Sequence, residues 1–463
     1  MFSFSKHFKG IATQGDSLKD ILRYWFPELI AGAIFISLPP MIDGIIIAGL
    51  KSVTMYGALG VTNQILHTLS KLAEAIPVAA MAIIGRHNGA KEYKKCGEDL
   101  GDTFWSTMLL GIAQFVIILM IATSLYRWMG VPDKMIHLGV PFLKMRSFGV
   151  LLSFASLGLL AFMKAVKNTK VPMIISVVGI CLFLFFDYSL VLGRFGFTQM
   201  GLNGSAVATI IQYTAVIIMA TIYLVANTDY KKYFDVYFFQ YFRLRSILRV
   251  LNLSWPIMID KGVLAASYVW LNKLVAGMGK GAIASFESVK NLERFAFVPA
   301  LASATVIVFL VSNRLGKGDP EGANANIKKV LLFTSGMIVV SLFVMSLNIE
   351  YFSSLFDRTH KFAYIVNASF PFISILVVFD FIQLILAGAL RGSGDVKTVM
   401  FIRVCSCSLF LAPLAYIFSL LPIQSIPLKF GLIYSSFYLN TGVMGLLFMK
   451  RIMGKKWQNI KMN

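Results

Sequence analysis

Three aspartates sit inside apolar runs: Asp43 within PPMIDGIIIAG, Asp187 within LFLFFDYSL and Asp380 within VVFDFIQLI. A charged side chain at the centre of a bilayer-spanning helix costs at least about 2.5–3.5 kcal/mol, so each is a functional candidate by default. The chemistry open to such a carboxyl is reversible binding of H⁺ or Na⁺. Either event cancels or compensates its charge, and that change can bias a bistable helix bundle between two states. The aromatic neighbours of Asp187 lean the choice toward a proton. Pro39 and Pro40, just before Asp43, predict a distorted helix with freed carbonyls that would suit a bare cation. Gln383 lies one turn after Asp380 and shares its face. The plainer reading of each acid is structural, a carboxylate hydrogen-bonded to backbone or paired with a nearby cation. The exchange mechanism therefore requires acids sheltered from bulk water and not permanently locked against lysine or arginine.

A second group of charges lies on the eighth apolar run: Glu287, Lys290, Asn291, Glu293 and Arg294. At 1.5 Å rise per residue they fall about 10–20 Å into a helix starting near Ala282. Glu287, Lys290, Asn291 and Arg294 share one face, and Lys273 on the seventh run is placed to join them. One reading is an internally paired ion network. The other is a polar cavity wall contacting substrate, and a net positive wall would favour anionic or zwitterionic cargo. On the second run, His67, Ser70, Lys71 and Glu74 share a face, with Lys71 and Glu74 spaced as an i,i+3 pair.

No phosphate loop, H-E-x-x-H helix, nucleophile elbow or haem motif is present in the sequence. The loop histidines His87, His137 and His360 are scattered on different sides of the membrane, which argues against an integral-membrane transferase. The four cysteines, Cys96, Cys181, Cys405 and Cys407, form no C-x-x-C pair. The expectation is a non-enzyme without metal site or cofactor, apart from the coupling ion H⁺ or Na⁺.

These residues must be positioned by a membrane bundle. The chain has 463 residues, 57% hydrophobic and 14% charged, with mean hydropathy +0.74. Soluble domains carry about 25% charged residues, so this is a polytopic membrane protein. Runs long enough to cross a bilayer fall at about 27–50, 56–85, 102–125, 138–163, 171–193, 202–226, 254–279, 281–312, 328–348, 363–390, 399–421 and 428–450. Twelve helices follow, and continuous rather than alternating apolarity disfavours a β-barrel. Lys and Arg total 43 against 22 Asp and Glu, a net charge of +21. In a soluble protein that surplus would suggest nucleic acid. Here it marks one set of loops, including Lys6, Lys9, Lys19, Arg86, Lys91, Lys164, Lys167, Lys231, Arg249, Arg314, Lys317, Arg391 and Lys450 to Lys461. The alternate loops hold little beyond Lys51, Arg127, Lys134, Arg194, Lys280, Arg358, Lys361 and Lys429. This asymmetry of about threefold predicts both termini in the cytoplasm of a plasma-membrane protein. Residues 1–26 contain no cleavable apolar core, which predicts insertion by the first span.

The chain also repeats itself. A Tyr-, Phe-, Lys- and Arg-rich interruption at 227–250 divides the runs six and six. Aligning Gly89 of GRHNGAKE with Gly316 of SNRLGKGD places Asp43 against Asn272 within a gap of two residues. Six spans per half give copies of the same orientation, parallel repeats about an axis along the membrane normal. The expected organisation is a cytoplasmic segment 1–26, an N-lobe 27–226, a cytoplasmic linker 227–253, a C-lobe 254–450 and a basic tail 451–463.

The loops GRHNGAKEYKKC and NRLGKGDPEGAN resemble those of the multidrug and toxic compound extrusion (MATE) family of the MOP flippase superfamily. So do GLNGSAVAT before the sixth span and AGALRGSGDVKT after the tenth, and together the likeness runs from about Pro27 to Lys450. It implies an all-α fold of two pseudo-symmetric six-helix lobes around a central cavity. It further implies H⁺- or Na⁺-driven export of cationic or amphipathic small organic molecules. Asp43 and Asp187 match acids of the family's N-lobe site, although the family often places Asn where this chain has Phe183. Asp380 resembles the acid of a branch with a C-lobe Na⁺ site. That branch also carries Glu where Leu264 stands here, while Asp260 and Lys261 lie one turn earlier. The partners expected are the small-molecule substrate and membrane lipids, with no nucleic acid, on a monomer. A flippase for lipid-linked saccharides, using Lys273, Lys290 and Arg294, is the alternative.

Overall fold

The computed structural model describes residues 14–234, 243–354 and 362–460. Lys6, Lys9, Arg358, His360, Lys361, Lys461 and linker residues 235–242 lie outside this description. The described residues are helical throughout, joined by short turns. The first half comprises α1 (Leu18–Ala48), α2 (Val53–Ala73), α3 (Ala75–Gly89), α4 (Tyr93–Trp128), α5 (Asp133–Ala165), α6 (Lys170–Leu192) and α7 (Leu202–Ala226). The second comprises α8 (Leu244–Ala276), α9 (Lys280–Gly316), α10 (Pro320–Leu347), α11 (Ile349–Ser354), α12 (Ala363–Ser393), α13 (Val396–Ser406), α14 (Ala412–Leu420) and α15 (Ile426–Met453). Among the described residues, 10 helical segments are long and apolar enough to cross a membrane. The long helices α1 and α8 stand where the first and seventh runs predict spans.

Sequence explains the interruptions. The second span is two helices, broken at Glu74, because Pro77 has no N–H for the carbonyl four residues earlier. In the eleventh span a wide π-turn at Cys407–Leu411 separates α13 from α14. It precedes Pro413, whose ring would collide with the carbonyl of Leu409 in a regular helix. Pro39 and Pro40 behave differently from the expectation: α1 stays helical across both.

The chain divides into two compact units: an N-terminal unit, Phe26–Trp255, and a C-terminal unit made of the residues up to Trp25 and from Pro256 onward. Both break points fall inside a helix, α1 and α8. The same helix pairs pack in each unit. Second against third, second against fourth, third against fourth, fourth against sixth and fifth against sixth recur in both halves. This is the structural form of the sequence repeat.

Each unit also holds the segment that precedes the other half. Within the C-terminal unit, the Trp25 indole donates to Ser303 Oγ at 2.9 Å and Asp16 pairs with Arg314 at 3.0 Å. Within the N-terminal unit, Arg249 pairs with Asp99 at 2.9 Å. Asn168 donates to the Tyr230 hydroxyl at 2.9 Å; burial pushes that phenol up to about 12, so it remains neutral.

Candidate functional site

In the N-terminal unit Asp43 on α1 and Asp187 on α6 are both fully buried. Their surroundings differ. The Arg146 guanidinium on α5 donates through Nη2 to Asp43 Oδ2 at 2.8 Å. Ser205 on α7 donates to Asp43 Oδ1 at 2.8 Å and accepts from Arg146 Nη1 at 3.1 Å. The three side chains form a closed triangle in which both Asp43 oxygens are occupied. Arg146 also lies over the Phe142 ring, 5.4 Å from its centroid, and is only 13% exposed.

Asp187 has no such partner. Neither of its oxygens has a hydrogen bond among the described residues, although Asp43, Arg146 and Ser205 are its polar neighbours. Two acids and one guanidinium leave the group one negative charge when both acids are ionised. One proton or one monovalent cation at Asp187 makes it neutral. Phe183, one turn before Asp187, is buried.

Local sequence explains how Ser205 reaches this place. A Cβ on Gly204 would lie 2.7 Å from the carbonyl carbon of Leu190 and 2.8 Å from the nitrogen of Val191. Only glycine allows α7 to come this close to α6. Gly201 begins α7 with φ +57°, the left-handed region that suits glycine. Thr209 Oγ1 then donates to the Ser205 carbonyl at 2.9 Å. The GLNGS segment is thus a device for close helix approach with a hydroxyl at its apex.

The C-terminal unit holds a different arrangement. Asp260 on α8 is buried and paired with both Arg391 on α12 and Arg403 on α13. Arg403 Nη2 also donates to Gln383 Oε1 at 3.2 Å, and Gln383 Nε2 donates to Asp380 Oδ1 at 2.8 Å. The chain of contacts runs Asp380–Gln383–Arg403–Asp260–Arg391, two acids and two guanidiniums in balance. Gln383 is buried and Asp380 half-buried. Leu264 contributes no charge to it. Asn272, which the repeat alignment brings within two residues of Asp43, has its Oδ1 buried with no hydrogen bond among the described residues.

The charges of α9 are split by the helix. Glu287 and Lys290 pair at 3.1 Å and are 50% and 33% exposed. Asn291 is half-buried and Arg294 exposed on that same side. Glu293 instead turns into the core of the unit, where the Tyr434 hydroxyl donates to its Oε2 at 2.7 Å and Oε1 has no hydrogen bond among the described residues. Lys273 is exposed and sits 5.7 Å from the Trp270 ring centroid. Lys71 and Glu74 form their expected pair at 2.7 Å.

Sequence reading of the acids passed over their partners. Arg146 lies in the middle of the 138–163 run and Arg403 inside the 399–421 run. The rule that singled out the aspartates, an ionisable group at membrane depth, applies equally to these arginines. What it could not supply is which acid each would meet.

Ten membrane-length helical segments among the described residues, in two units of repeated packing and with ionisable groups buried inside apolar segments, define a polytopic membrane protein. The chain belongs to the MatE family, whose model matches residues 29–189 and 256–417, a family of transporters rather than enzymes. It is 22% identical to the probable multidrug resistance protein YoeA of Bacillus subtilis, over 73% of each chain. It is also 22% identical to the multidrug resistance protein NorM of Photobacterium profundum, over 83% of this chain and 84% of that one. The fold superimposes on a MATE crystal structure in the bent conformation with TM-score 0.84 at 18% identity, covering 95% and 96% of the two chains. A MOP superfamily transporter from Pyrococcus furiosus, described as having a binding pocket of reverse polarity, gives TM-score 0.84 at 17% identity over 97% and 99%.

Proposed function

We propose that this protein is a secondary active exporter of cationic or amphipathic small organic molecules. It works by alternating access in exchange for inward H⁺ or Na⁺ across the plasma membrane. The observation that carries this reading is Asp187, fully buried with neither carboxylate oxygen hydrogen-bonded among the described residues, beside the Asp43–Arg146–Ser205 triangle. An acid held in that setting exchanges a cation for a change in local charge, and the change biases the bundle. Asp43 is held by Arg146 in this conformation, so its part is to share that guanidinium with Asp187. Asp380 is the corresponding candidate in the C-terminal unit, reached through Gln383. The surplus of Lys and Arg in alternate loops supports cytoplasmic termini, and relatives named as multidrug resistance proteins support the substrate class.

The test is efflux of a cationic dye from intact cells, measured with a protonophore and, separately, without Na⁺. Export collapsed by one of these treatments and lost in Asp187→Asn supports the reading. Unchanged efflux in both Asp187→Asn and Asp43→Asn removes the N-terminal mechanism. The exposed cations Lys273 and Arg294 favour a second reading, a flippase for lipid-linked saccharides, and accumulation of a lipid-linked precursor on depletion would support that instead.

A further inference from the structure

The N-terminal unit carries a cation of its own. Arg146 stands among the acids that an imported cation would have to use, and a guanidinium stays protonated at any working pH. Asp43 Oδ2 is taken by Arg146 and Oδ1 by Ser205. The Ser205 oxygen is itself engaged by Arg146 Nη1. Asp43 Oδ2 and the Ser205 oxygen are therefore already committed to an internal cation, and Asp43 Oδ1 to the Ser205 hydroxyl.

A bare Na⁺ needs several oxygens at once to replace its hydration shell. Beside Asp187 it would find one carboxylate and a fixed positive charge that repels it. A proton has neither requirement. It needs one oxygen, adds almost no volume and leaves the Asp43–Arg146–Ser205 triangle undisturbed. The groups facing Asp187 are Asp43 from α1, Arg146 from α5 and Ser205 from α7. Tyr213, also on α7, lies within the field of Arg146.

We propose that Arg146 is a resident counter-cation that makes Asp187 the single proton-exchanging group of this unit and excludes Na⁺ from it. The proposal rests on the reading of Asp187 as the coupling acid and names the ion that this acid takes. With Asp187 protonated, Arg146 belongs wholly to Asp43, the arrangement seen here. When the O–H bond of Asp187 breaks, the proton leaves to solvent and both electrons stay on the carboxylate. Arg146 is then shared between two carboxylates, and the local charge falls from zero to minus one. Arg146 is a positioning residue: it acts through the two acids and decides which ion they accept.

The experiment is Na⁺ binding to the purified full-length protein, measured with radioactive Na⁺, alongside proton release followed with a pH-indicator dye. Wild type is expected to release a proton on alkalinisation that is absent in Asp187→Asn, and to show no Na⁺ binding that depends on Asp187. Arg146→Gln is expected to gain Na⁺ binding, at least about tenfold above the background level of wild type at the same Na⁺ concentration, with the gain abolished in the Arg146→Gln/Asp187→Asn double variant. Arg146→Lys, which keeps the charge, is expected to remain closed to Na⁺. Na⁺ binding by wild type that disappears in Asp187→Asn overturns the proposal, as does a folded Arg146→Gln that gains none. Should Arg146→Gln not fold, the comparison of wild type with Asp187→Asn decides alone. Dye efflux indifferent to both ion gradients would defeat the exporter reading, while the Na⁺-binding result speaks only to Arg146.

Discussion

Asp43 and Arg146 meet at 2.8 Å across 103 residues of sequence, and neither is placed there by its own helix alone. Asp43 comes from α1, Arg146 from α5, and the serine that completes the triangle from α7. Three of the unit's helices are thus tied at one point inside an apolar bundle. The fourth polar group, Asp187, is left as the member without a fixed bond.

Removal of the Asp187 charge should separate function from folding. Asp187→Asn replaces a buried carboxyl whose oxygens have no hydrogen-bond partner among the described residues, so the thermal midpoint should stay level or rise. Ion-coupled dye efflux, measured in the same preparation, should fall to background. Residual coupled efflux in a well-folded Asp187→Asn protein would contradict the assignment.

Disruption of the neighbouring pair should do the opposite. Loss of one partner from a buried ion pair costs about 3–5 kcal/mol because the other charge remains uncompensated. Arg146→Met is expected to lower the denaturation midpoint markedly, and Asp43→Asn to lower it less, because Asp187 remains beside Arg146. Arg146→Met/Asp43→Asn should recover much of the loss, giving a large coupling energy in a double-mutant cycle. Additive losses would mean that the two side chains do not depend on each other.

Gly204 tests the helix approach that sets Ser205 in place. A Cβ there would sit 2.7 Å from backbone of α6, and backbone cannot give way as a flexible side chain can. Gly204→Val should cost about 1–3 kcal/mol or more by overpacking and reduce the yield of monodisperse protein. Gly60, with no atom within 4 Å of its Cβ position, is the control, and Gly60→Ala should be tolerated.

The C-terminal unit should depend on Asp260 for stability. This acid is shared by Arg391 and Arg403, so Asp260→Asn leaves two guanidiniums facing each other in the core. The expected loss is again about 3–5 kcal/mol, visible as a lower unfolding midpoint. Asp380→Asn replaces a half-buried acid held by one hydrogen bond and should shift the midpoint far less. Equal shifts in the two variants would refute this ranking.

His87 and Arg314 stand at equivalent places when Gly89 is aligned with Gly316, and each closes a polar latch within its unit. His87 Nδ1 meets Asp99 at 2.5 Å, and Asp99 holds Arg249 in the N-terminal part of α8. Arg314 holds Asp16 of the segment leading into α1. The acid is on the body in one repeat and on the incoming segment in the other. Asp99→Ala is expected to raise amide hydrogen exchange in residues 243–255 while leaving residues 14–25 protected, and Arg314→Ala should do the reverse.

The amino-acid sequence determined the class of this protein by itself. Apolar runs, loop charge and the twofold recurrence of a glycine-rich loop prescribe a membrane bundle of repeated helices, because lipid admits only helices or closed barrels and continuous apolar runs disfavour a barrel. It also marked Asp43, Asp187 and Asp380, since the cost of an ionised group at membrane depth is a property of the residue and its neighbours in the chain. What the tertiary structure alone decided is who meets whom. Arg146 and Arg403 carried the same sequence signal as the aspartates, yet only packing shows that one closes on Asp43 and the other on Asp260. Glu293 and Arg294 are adjacent in sequence, and the helix sends one into the core and the other to the exposed side. Pairing depends on side chains from helices a hundred residues apart, and no local pattern encodes which of them will share a buried space.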